Sequence, residues 1–142
     1  MAGKKRRKDE GRALSAAYFS KQVESAEKGD LDALHDVAAR YATGDWPATK
    51  DEAKAVELYT KAAERGHSES QYDLGFMLIL GEGTEKDEVK GLWWMEQAAV
   101  NGCAPAARFL SDAFNKGYYD VEIDKAKAVY WAKREQELNG QG

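Results

Sequence analysis

The sequence has one cysteine and two histidines, and no long apolar run. Each scarcity excludes something. Cys103 alone cannot close an internal disulfide, which fits a reducing compartment. The longest apolar stretch, Phe76-Met77-Leu78-Ile79-Leu80, falls far short of the roughly 18–20 residues that a membrane helix requires. The basic run Lys4-Lys5-Arg6-Arg7-Lys8 is not followed by the apolar stretch of a secretory signal. The expected compartment is therefore the cytoplasm, with the nucleus as an alternative in a eukaryote. Two histidines supply no H-E-x-x-H helix and no spaced His/Cys/carboxylate set, so neither metal nor cofactor is expected. The net charge of −4 already includes the five positive charges of Lys4 to Lys8. The rest of the chain is thus more acidic than the total, and a broad grip on phosphate backbones is not expected. Only the tail could touch nucleic acid.

Strand-like alternation is absent too, whereas a long-period repeat is plain. Gly29, Gly66 and Gly102 are 37 and 36 residues apart, as are Gly44, Gly81 and Gly117. Asp51/Lys54, Asp87/Lys90 and Asp124/Lys127 keep the same steps, and so do Leu58, Trp94 and Trp131. Fixed self-similarity at this period marks a solenoid of stacked two-helix units. Residues 1–11 are charged and aperiodic and are expected to be disordered. Residues 12–29 are expected to form an N-terminal capping helix, with Leu14, Tyr18, Phe19, Val23 and Ala26 near helical spacing. Three units follow, at 30–66, 67–102 and 103–139. Their first helices are capped by Asp30, by a Ser68/Gln71 capping box and by Pro105 in the first turn. They end at Gly44, Gly81 and Gly117. The second helices start at Asp51, Asp87 and Asp124, whose carboxylates can pair with Lys54, Lys90 and Lys127. Small residues (Ala38, Gly75, Ser111; Ala55, Gly91, Ala128) face large ones and allow close helix packing.

Gly66, Ser70-Gln71, Leu74-Gly75, Gly81-Glu82-Gly83-Thr84, Asp87, Lys90-Gly91, Trp94-Met95, Gln97-Ala98-Ala99 and Gly102 together resemble the Sel1-like repeat, a relative of the tetratricopeptide repeat. The first unit matches through Asp51, Lys54, Ala55, Tyr59, Lys61, Ala62, Ala63 and Gly66, and the third through Leu110, Gly117, Asp124, Lys127, Ala128 and Trp131. The third then departs: Glu135-Gln136 stand where an Ala-Ala pair is expected, as in a polar C-terminal cap. The resemblance implies an all-α, right-handed α/α superhelix and a non-catalytic adaptor or scaffold that binds a protein or peptide in its concave groove, as a monomer. A second reading is a bacterial immunity protein that neutralises a toxin or effector by occlusion. A third, a small hydrolase of the β-lactam or peptidoglycan type, is disfavoured because the chain lacks the paired cysteines and signal peptide of that branch.

If the superhelix curves as its relatives do, the inner positions are Asp32, His35, Ala39 and Ala42; Glu69, Tyr72, Phe76 and Ile79; and Pro105, Arg108, Asp112 and Asn115. Tyr72, Phe76 and Ile79 form an apolar centre, with His35, Arg108 and Asp112 as a polar rim. These six are the candidate protein-binding residues. His35 and Asp36 point about 100° apart on a helix and form no ready dyad. His67 and Cys103 read as packing residues between units, and Trp94 and Trp131 as core. Trp93 and Tyr130 either pack on a neighbouring unit or face solvent. Trp46-Pro47, in the longer first loop, is a further contact candidate.

Overall fold

A computed structural model describes residues 2–140, which form seven helices: α1 (Ala2–Glu27), α2 (Leu31–Thr43), α3 (Glu52–Glu64), α4 (Ser68–Leu80), α5 (Glu88–Val100), α6 (Ala104–Lys116) and α7 (Lys125–Gly140). Each of α2/α3, α4/α5 and α6/α7 is an antiparallel pair, and consecutive pairs stack. Three linked apolar clusters replace a single core. One lies around Leu34 and Val37, one around Tyr59, Leu74 and Trp94, and one around Met95, Leu110 and Trp131. Tyr41 and Leu58 border two of them.

The loops differ, yet one bond repeats in each unit. The backbone N–H of Asp51, Asp87 and Asp124 donates to the carbonyl of Tyr41, Leu78 and Phe114 at 2.8, 2.8 and 2.9 Å. The same aspartates then accept from the N–H of Lys54, Lys90 and Lys127, each at 3.0 Å. Helix register is thereby fixed whatever the loop does. Gly44, Gly81 and Gly117 close the first helices with φ of 75°, 72° and 73°, the left-handed region that glycine enters without a Cβ clash. The lysine ammonium groups do not pair with those aspartates. Lys54 lies over the Tyr41 ring (4.7 Å) and Lys127 over Phe114 (5.1 Å), so both stems cover the preceding helix.

In the middle unit the helices nearly touch backbone to backbone. A Cβ at Gly91 would stand 2.7 Å from the Gly75 carbonyl oxygen and 2.6 Å from Ile79 Cγ1. In the third unit Ser111 Oγ instead donates to the Ala128 carbonyl at 2.8 Å.

Two further expectations need correction. Residues 2–11 continue α1 instead of being disordered; Met1 lies outside the described residues. Ala, Lys, Arg and Glu are strong helix formers, no proline interrupts them, and Arg6 pairs with Glu10 one turn on. Nothing packs on this stretch: residues 3–15 are exposed, and so are Leu14 and Tyr18. The N-cap of α4 is His67, not Ser68, since His67 Nδ1 accepts from the Ser70 N–H. Gln71, freed from any capping box, donates to the Ala63 carbonyl and accepts from Asn101.

Candidate functional site

The inner positions of α2, α4 and α6 line a groove of about 450 Å³, bounded by His35, Glu69, Tyr72, Asp73, Cys103 and Pro105. His35 is its polar centre. Its Nε2 lies 2.8 Å from Asp73 Oδ2, and its Nδ1 lies 3.6 Å from Asp36 and 3.8 Å from Glu69. The Asp73 hydrogen bond holds the imidazole pKa above its ordinary value, and this outweighs the opposing effect of burial. The relevant partner of His35 is thus Asp73 on the next unit, although Asp36 comes within reach. The rings of Tyr59 (5.6 Å) and His67 (5.3 Å) lie against the imidazole. Burial pushes the Tyr59 and Tyr72 hydroxyls and the Cys103 thiol upward, so all three are neutral: Tyr72 and Cys103 in the groove wall, Tyr59 in the core behind His35.

Ser70, His67 and Asp32 form a linear hydrogen-bonded set: Ser70 Oγ to His67 Nδ1, and His67 Nε2 to Asp32 Oδ1, both 2.9 Å. The residue types are those of a hydrolytic triad, but the geometry is that of a helix cap. Nδ1 accepts from the Ser70 N–H, which leaves the Nε2 proton to donate to Asp32. Ser70 is fully buried, so its hydroxyl has no path to a substrate. Among the described residues, no group of three or more His, Cys, Asp or Glu side chains could hold a metal ion.

From Tyr72, at the edge of the groove, a row of aromatic rings leads away from it. Tyr72 meets Phe76 edge-on at 4.9 Å, Phe76 meets Phe109 at 5.0 Å, and Phe109 stacks on Tyr119 at 5.1 Å. Tyr72, Phe76, Phe109 and Tyr119 are all half-buried. Tyr119 has a φ of 59°, a left-handed conformation that is unfavourable for a bulky residue and is maintained here with its ring against Phe109.

Of the six predicted contact residues, His35 and Tyr72 line the groove, and Phe76 packs on Tyr72 beside it. Arg108 and Asp112 are exposed on α6. Ile79 does not belong: it is 1% exposed, because the missing side chain of Gly91 lets α5 close over it. Asp73 lines the groove, and Phe109 and Tyr119 continue the ring row from it; none of the three was among the six. Asp73 had a legible signal, since it stands 37 residues after Asp36 and one turn after Glu69. On the outer face Trp93 (51% exposed) and Tyr130 (61%) face solvent, as does Trp46 (52%) in the first loop.

The family described as Sel1 repeat matches residues 31–67, 68–103 and 104–134. Chitin synthase regulator SKT5 of Saccharomyces cerevisiae is 33% identical over 90 residues, covering 63% of this chain and 12% of that protein. The exopolysaccharide production negative regulator of Rhizobium meliloti is 35% identical over 79 residues, covering 54% of this chain and 30% of that protein. The crystal structure of a Sel1 repeat protein from Oxalobacter formigenes superposes with a TM-score of 0.77 at 28% identity, over 82% of this chain and 46% of that one. The chain thus spans well under two thirds of the length of each. No described helix is long and apolar enough to cross a membrane.

Proposed function

Because the chain belongs to the Sel1 repeat family, we propose that it is a non-catalytic adaptor whose concave groove holds a segment of a protein partner. The observation that carries this reading is the half-buried chain of rings from Tyr72 to Tyr119, continuous with a groove and bordered by polar groups. Rings left partly in water, on helices that bury their other faces well, are surface kept for a contact. Relatives named as regulators of chitin synthase and of exopolysaccharide production fit a protein that acts by holding another.

A photo-crosslinking residue at position 72 is expected to give a discrete adduct in cells. The same residue at position 93, on the outer face, should give none. Adducts from position 93 alone would move the binding face to the convex side.

A further inference from the structure

The groove has two unlike halves that meet at Tyr72. In one, four carboxylates occupy matched places on neighbouring helices: Asp32 and Asp36 one turn apart on α2, Glu69 and Asp73 one turn apart on α4. Asp36, Glu69 and Asp73 converge on His35, while Asp32 is held by His67. Three stay well open to solvent, the side chains of Asp32, Glu69 and Asp36 being 91%, 70% and 54% exposed, while Asp73 is 36% exposed. Two imidazoles cannot neutralise four carboxylates even when both are protonated. At the inner positions of α6, Arg108 and Asp112 carry opposite charges one turn apart. In the other half Tyr72, Phe76 and Phe109 present ring faces and edges with no charge between them.

A cleft lined by one sign of charge against low-dielectric walls concentrates counter-charge. Here the sign is negative, which turns away phosphate backbones and anionic lipid surfaces and favours cations. We infer that the groove takes a segment of a partner protein in which adjacent lysines or arginines are followed by a bulky apolar side chain. The basic groups meet Asp36, Glu69 and Asp73. A guanidinium stacks on the Tyr72 ring where the halves join. The apolar side chain lies against Phe76 and Phe109, where its burial adds affinity that salt does not screen. This inference rests on the groove being the binding face.

Fluorescence anisotropy on the full chain tests it with three labelled synthetic peptides of equal length. The first has a run of lysine and arginine followed by tryptophan and leucine. The second replaces the basic residues with glutamate, and the third replaces the apolar pair with alanine. The first is expected to bind most tightly and to weaken with added salt. The double variant Asp36→Lys/Glu69→Lys should lose about tenfold or more in affinity for it. Both residues are solvent-accessible, and circular dichroism confirms that the variant is folded. Failure of the first peptide to bind, or equal binding to the double variant, overturns the charge assignment. If the basic and glutamate peptides bind alike and both weaken with Phe76→Ala, the groove stands and only the charge assignment falls. If binding survives every groove variant and is lost with Trp93→Ala, both readings fall.

Discussion

At the seam between α2 and α4, an imidazole and carboxylates hold the inner helices together. At the next seam, between α4 and α6, the same duty falls to aromatic rings. The two seams are built on one repeating backbone. His35, Tyr72 and Arg108 occupy equivalent places, and so do Asp36, Asp73 and Phe109. The period dictates where an inner side chain stands and leaves its chemistry free. One seam is therefore expected to respond to pH and ionic strength and the other to neither.

The largest effect is expected beneath both seams. Ile79→Ala should cost about 2–5 kcal/mol, because a nearly fully buried side chain leaves a cavity that α4 and α5 cannot close. Thermal melting measures it; a cost within a few tenths would return Ile79 to the groove surface. Phe109→Ala removes two ring contacts and should cost about 1–3 kcal/mol. That loss should be the same in acid and alkaline buffer and at low and high salt; a salt-dependent loss would erase the distinction between the seams.

His35 behaves oppositely. Its pKa is raised in the folded chain, so its pairing with Asp73 stabilises fully below the unfolded imidazole pKa of about 6.5 and fades as pH rises through the folded value. The melting-temperature gap between the native chain and His35→Asn should thus be wider near pH 5.5 than near pH 8.5, by about the amount one charge-assisted hydrogen bond supplies. A gap that is constant or widens with pH would show that the neutral imidazole does the holding. The smallest effect belongs to the N-terminal stretch. Deleting residues 1–11 removes the exposed helix of residues 3–11, which touches neither seam, and should change stability by less than about 0.5 kcal/mol. A drop of several degrees in melting temperature would mean that the basic segment docks on the acidic face.

The repeat was legible because glycine and aspartate punctuate it: each marks a backbone geometry or an orphan N–H that few other residues satisfy. The groove was legible only in part. Tyr72 and Phe76 share a helical face that spacing alone identifies. Ile79 has nearly the same angular place and was misassigned, because its burial depends on α5 approaching across Gly75 and Gly91, a distance between helices that no single helix encodes. The His35–Asp73 bond joins residues 38 apart and needs the register of one unit on the next. The repeat alignment contains that register, in the pairing of Asp36 with Asp73, but reading His35 only against its neighbours conceals it. Tyr119 lies between Gly117 and Asp120, residue types that enter the left-handed region readily, but nothing in its own side chain announces a positive φ, and its ring sits against Phe109.

The Gly75–Gly91 contact also has a mechanical consequence. At Gly75 and Gly91 the two backbones come so close that there is no room for even a Cβ, and Ile79 and Met95 fill the flanks, so α4 and α5 are expected to move as a single strut. Compliance is thereby pushed outward to the seams on either side, one elastic through ions and the other through rings. The inner face then rests on two joints of different chemistry beside a stiff centre, and changing solution conditions is expected to retune the ionic joint and leave the aromatic one as it was.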